Sequence, residues 1–114
     1  MRGDRFYLRH MLGCIERVER YTEGGREEFF QSTLIQDAVM RNLQIMCESS
    51  GRISEATKAT SPNTRWRDIR RFRDVLAHDY LSIDLNRVWT DVENDLPALK
   101  SDILPLLAED GIGP

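Results

Sequence analysis

Within one stretch, Arg73-Asp-Val-Leu-Ala-His78-Asp-Tyr80, the chain places a permanent cation, a proton shuttle and a phenol. Arginine grips phosphate through a planar fork of N–H donors. Histidine titrates closest to neutral pH, so it can both take and give a proton. That pairing suits phosphodiester chemistry without a metal. Ahead of it, Arg65, Arg67, Arg70, Arg71 and Arg73 crowd into a short run opposed locally only by Asp68 and Asp74. Such a run is either a solvated helix face or a small anion-binding patch, and the motif that follows favours the patch. Spacing sets a constraint. Five residues apart on an unbroken helix, Arg73 and His78 point about 140° from one another. A site within one chain therefore needs a helix that ends around His78. Alternatively, two copies pair about a two-fold axis and line one cleft with both sets.

The elements that position these residues are helical. Leu8, Met11, Leu12, Ile15 and Val18 recur at helical spacing, which predicts a first helix from about Asp4 to Tyr21, ended by Gly24-Gly25. Arg26 to Phe30 suits one short helical turn. A second long helix is expected from about Ser32 to Thr57, with Ile35, Ala38, Val39, Asn42, Ile45, Met46 and Ser49 on one face. Asn42 is the polar member of that stripe, either satisfied by a neighbour or part of a polar cleft. Ser61-Pro62-Asn63 has turn chemistry. Trp66, Ile69, Arg73, Leu76 and Ala77 mark a third helix. Leu85, Trp89, Val92, Leu96, Leu99, Ile103 and Leu106 then step by four and three along a last helix. Asp84 is its expected N-cap and Gly111 its expected terminator. Pro97 interrupts the pattern without shifting its phase, which predicts a kink at that proline. The sum is an all-α fold, an antiparallel bundle of about four long helices in a single domain over 1–114.

Bulk properties narrow the function classes. The chain has 114 residues, 40% hydrophobic and 31% charged, which suits one soluble domain with a modest core. So short a chain buries a limited share of its surface, and a dimer that covers leftover apolar faces fits that size. A net charge of −3 argues against a protein that coats nucleic acid non-specifically. No apolar run approaches the length needed to cross a bilayer, and the start has no secretory pattern, so a cytoplasmic protein with no membrane partner is expected. Cys14 and Cys47 each sit inside an apolar pattern and read as buried free thiols. With the two histidines, His10 and His78, unclustered and no Cys pair, no metal site and no cofactor are expected. His10 reads as a residue without chemistry.

On these residues the chain resembles the HepT family of HEPN-domain proteins, the toxin half of HEPN–MNT toxin–antitoxin pairs. Arg73-x4-His78-x-Tyr80 matches the family's signature. Gln36-Asp37-Ala38-Val39-Met40-Arg41-Asn42-Leu43, Trp66-x-x-Ile69, Val88-Trp89 and Asp95-Leu96-Pro97 support it. Met46-Cys47-Glu48-Ser49 departs from it, where relatives commonly carry an Ile-Gly-Glu-Ala type of stretch. The resemblance implies a metal-independent endoribonuclease working as a homodimer, with Arg73 and His78 catalytic at a cleft between subunits. Arg65, Arg67, Arg70 and Arg71 would hold flanking RNA phosphates, and Arg41 and Asn42 would support the cleft. It also implies that a partner MNT-type nucleotidyltransferase, the antitoxin, silences the toxin by transferring AMP to Tyr80. The competing reading is a non-catalytic bundle that binds nucleotide or docks on a nucleotidyltransferase, since the same arginines serve either phosphate ligand.

Overall fold

Leu8, Met11, Cys14, Ile15 and Val18 are all buried and form the inner stripe of α1 (Asp4–Tyr21), the bounds that the periodicity predicts. The chain turns after Thr22 and enters α2 (Gly25–Gln31) through Gly25, whose φ of 89° is costly for any residue with a Cβ. Ser32 caps α3 (Thr33–Ser50), its hydroxyl accepting from the Ile35 N–H at 3.1 Å. The computed structural model describes residues 3–108, apart from the Tyr80 side chain. Every regular element among the described residues is helical, and the fold is an all-α bundle as the periodicity implies. The expected terminator Gly111 lies outside the described residues.

The second long helix is shorter than the 32–57 expected from periodicity. It stops at Ser50, and a separate short helix, α4, covers Glu55–Ala59. Ile53 keeps to the buried side of Met46, Ser49 and Ser50 at 4% exposure, as its spacing from them implies, so what breaks the helix lies in the residues that follow. Ser54 caps α4 by accepting from the Thr57 N–H, and the Asp4 carboxylate accepts from the Ser54 N–H (2.9 Å), the Ser54 hydroxyl (2.6 Å) and the Thr57 hydroxyl. Desolvation raises the pKa of Asp4, but the hydrogen bonds from Ser54 and Thr57 outweigh it and hold the carboxyl below its ordinary value.

The contacts fix the direction of each long helix. His10 near the start of α1 meets Ser49 at the end of α3 (Nδ1 to Oγ, 2.9 Å), so the two run antiparallel. Arg5 donates to the carbonyl of Leu107 (2.8 Å) while Lys100 pairs with Glu19 (2.9 Å), so α1 is also antiparallel to the last helix. That last helix is one run of three parts: α6 (Leu85–Thr90), a π turn (Asp91–Asp95) and α7 (Leu96–Ala108). Asp84 caps it as expected, accepting from the Asn86 N–H at 2.9 Å. The irregularity begins one turn before Pro97, where Leu96 N–H donates to the Asp91 carbonyl. A proline ring collides with the carbonyl four residues back. Here that carbonyl belongs to Glu93, inside the π turn, and the wider turn makes room for the ring.

The core gathers the inner stripes of α1, α3 and α7 around Phe29 and Trp89, whose rings lie 5.3 Å apart. Phe29 is fully buried, whereas Leu81 is 99% exposed. Phe29→Ala should therefore lower unfolding free energy by about 3–5 kcal/mol. Leu81→Ala should stay within about 0.5 kcal/mol of the parent, both read from urea unfolding midpoints.

Candidate nucleic-acid interface

The arginine-rich segment forms α5 (Trp66–His78). Phe72 and Leu76 are its buried residues and seat it on α3. Its start is tied down independently. Trp66 Nε1 donates to the Ser61 carbonyl (3.2 Å), and Thr64 donates to Asp102 of α7 (2.8 Å). Its end is His78, after which the Asp79 N–H closes on the Val75 carbonyl at 2.9 Å and a 3₁₀ turn (Tyr80–Ser82) leads to α6. The helix thus ends where a single-chain site would need it to.

The end of α5 does not by itself unite the motif. Arg73 and His78 both lie within the regular helix, so the separation of about 140° persists. Arg67, Arg71, Asp74 and His78 follow one another at spacings of four and three, which stacks them on one face, with Arg70 beside them. All are exposed. Arg71 sits 3.8 Å from Asp68, a loose pairing with the guanidinium side chain 72% exposed. Arg73 lies on another side of α5, its Nε 3.8 Å from Asp74. It is close enough to α3 for its charge to act on the Cys47 thiol. The backbone of Tyr80 opens the 3₁₀ turn just beyond His78.

The two supporting residues on α3 part ways. Arg41 is exposed. Asn42 is buried and donates through Nδ2 to the Ala38 carbonyl at 2.9 Å, an attachment within its own helix. His10 stacks on Phe6 (centroids 5.9 Å apart) besides meeting Ser49, away from α5.

Beside α5 the surface opens into a groove of about 970 Å³ between α5 and the α6–α7 run. Leu43 and Met46 of α3, with Phe72, Leu96 and Leu99, give it an apolar floor. Arg65 and Arg71 line the α5 side together with Asp68, and Asp91, Asp95 and Asp102 line the far side. Arg87 stands near the acidic wall with its guanidinium 5.3 Å from the centre of the Phe72 ring. Sequence reasoning missed this acidic wall. Its signal was the four-residue step Arg87, Asp91, Asp95 running beside the apolar seam.

Burial, then a hydrogen bond and a negative charge from Asp95, push the Asp91 carboxyl up to about 8, against a smaller pull from Arg87. Asp91 Oδ2 is out of solvent with no hydrogen-bond partner. Two carboxylates cannot bond to each other without a proton, so the pair is satisfied only when it holds one. Burial likewise pushes the Cys47 thiol up to about 12, with the charge of Asp91 adding to the effect and that of Arg73 opposing it.

Fold and site together define an all-helical bundle that displays a histidine and several arginines on one exposed helix. A family model described as ribonuclease HepT-like matches residues 11–105. A protein of Thermococcus cleftensis named "Probable ribonuclease HepT" is 36% identical over 100 residues, covering 87% of this chain and 91% of that protein. A protein of Methanocaldococcus jannaschii named "Gamma-glutamylcyclotransferase and putative RNase" is 35% identical over 111 residues. That match covers 96% of this chain but spans only 50% of the relative's length. No solved structure matches the chain. The chain belongs to the HepT-like ribonuclease family. Among the described residues, no helix is long and apolar enough to cross a membrane.

Both cysteines are buried and free, as the apolar pattern around them implies. With the thiolate this disfavoured, Cys47 should resist an aromatic disulfide reagent at pH 8 in the folded protein. It should react within minutes in 6 M guanidinium (about that concentration being strongly denaturing), followed by thiolate absorbance.

Proposed function

We propose that the chain is a metal-independent endoribonuclease that works as a homodimer, with Arg73 and His78 of two copies around one RNA linkage. The observation that carries this reading is His78 on the exposed last turn of α5, in line with Arg67 and Arg71, in a chain of the HepT-like family. Arg73 binds the scissile phosphate and stabilises the charge that gathers on its oxygens in the transition state. The ribose 2′-oxygen attacks phosphorus and the bond to the 5′-oxygen breaks. His78 either takes the 2′-hydroxyl proton or gives one to the departing 5′-oxygen, and the second copy supplies the other role. The products are a 2′,3′-cyclic phosphate and a free 5′-hydroxyl. Arg65, Arg67, Arg70 and Arg71 hold flanking phosphates, which makes binding weaken as salt rises. Arg41 stands as a further cleft contact. Asn42, one N–H of which is bonded within α3, keeps its amide oxygen to support the cleft.

In the same reading the chain is the toxin of a HEPN–MNT toxin–antitoxin pair and acts in the cytoplasm. The partner nucleotidyltransferase attaches AMP to the hydroxyl of Tyr80. Support comes from the position of Tyr80, two residues past His78 and just beyond the C-terminal end of α5. A nucleotide there brings phosphate charge and bulk to the cations that RNA needs, so the modified chain is silent.

His78→Ala should reduce cleavage of a single-stranded RNA at least about a hundredfold, the usual worth of a general acid or base, without changing the circular dichroism spectrum. EDTA should leave the wild-type rate unchanged; a strict requirement for Mg²⁺ would contradict the mechanism. Coexpression with the partner nucleotidyltransferase should add the mass of one or more AMP groups to wild type and none to Tyr80→Phe, by intact-mass spectrometry. An equal gain on both chains would remove the silencing proposal.

A further inference from the structure

Asp91 and Asp95 open and close the π turn, four residues apart and hydrogen-bonded to one another. Asp91 Oδ2 is out of solvent with no donor from the protein. A neutral carboxyl tolerates that place, whereas a carboxylate there lacks both water and a partner. The backbone is engaged at the same point. The Asp91 carbonyl accepts from the Leu96 N–H, the bond that closes the turn, and the Leu96 side chain is buried in the groove floor. Charge at Asp91 is thereby tied to the fit of the last helix. Arg87 and Asp95 face Asp91 along its own helical run, and Cys47 faces it from α3. Across the groove stand Arg65, Asp68 and Arg71, with Asp102 further along α7. Arg87 is the cation that favours ionisation, and burial together with Asp95 outweighs it.

We propose that the Asp91–Asp95 pair is a pH-sensitive latch, in which one shared proton holds the π turn closed on the core and its loss to alkaline solvent loosens the last helix around Leu96. Without the proton the two carboxylates repel, and Asp91 has to reach water. The groove is its way out, so the turn opens on that side. The device needs neither RNA nor a second copy, and it stands apart from the nuclease reading. Its sign follows from where the proton is held. The folded chain keeps it up to about 8, whereas a solvated aspartate gives it up near 3.8. Between those values the folded chain binds the extra proton, so stability falls as pH rises through that interval and levels off above it.

Urea unfolding of the full chain across this pH range, at one chain concentration, tests the latch against Asp91→Asn. Asparagine keeps an N–H donor toward Asp95 and cannot ionise, while the pH dependence of every other group is common to both chains. Relative to that variant, the wild-type folding constant should fall by up to about tenfold per pH unit between about pH 5 and 7. The difference should flatten above about 8. Amide hydrogen exchange then locates the opening. Protection at Leu96 should drop in alkaline solution in the wild type and hold in Asp91→Asn, while Ile15 of α1 stays protected in both. Parallel pH curves for the two chains overturn the latch. Protection lost equally at Leu96 and Ile15 overturns the local opening. If Asp91→Asn does not fold, Asp95→Asn, a change at an exposed position, carries the comparison. It removes the repelling charge and should make the slope shallower; a slope equal to that of the wild type overturns the pair.

Discussion

The one-sided attachment of α5 governs the rest of this molecule. Phe72 and Leu76 are the only residues of that helix taken fully into the core. Burying the two side chains stabilises the helix by about 1.5–3 kcal/mol each, which suffices because Trp66 and Thr64 hold its first turn to Ser61 and to Asp102 of α7. A helix buried on a narrow stripe can spend its remaining surface on charge. That is why arginines can occupy four of its 13 positions without a compensating core. The same narrow stripe leaves the flank toward α6 and α7 uncovered, and the groove follows from it.

Electrostatics on the two sides of α5 then diverge. On the outer face, Arg67 and Arg70 are exposed, so they stay available to a polyanion. On the groove side, the π turn before Pro97 holds Asp91 and Asp95 close enough to share a proton. A proline that needs room behind it sits after a widened turn, and that turn carries the two carboxyls, which residues four apart on a helix bring side by side. Basic and acidic surfaces within one small domain account for a chain whose net charge is only −3 despite its run of arginines.

Much of this was legible in the sequence because it rests on periodicity and on local capping. The stripe from Leu8 to Val18 gave α1 its bounds, and Asp84 capped the last helix as its position suggested. The break after Ser50 was harder to see. Its cause is a tertiary cluster, Asp4 with Ser54 and Thr57, whose members are about fifty residues apart in the chain. The π turn escaped notice because the apolar seam keeps its phase across it. Asn42 is the buried polar member of the α3 stripe, and its amide donates to the Ala38 carbonyl of its own helix. The motif Arg73-x4-His78 was visible at once, but its angular spread is a property of the helix that no spacing rule removes.

That spread makes the central claim sharp: the guanidinium and the imidazole over one RNA linkage come from different copies. Mixing two variants tests it most directly. Arg73→Ala and His78→Ala, each inactive alone, should regain part of the RNA cleavage when unfolded together and refolded as mixed dimers, because one cleft then holds an intact arginine and an intact histidine and lacks only the second copy's proton transfer. Mixed dimers that form, as judged by tagged copurification, yet cleave no RNA would contradict the account.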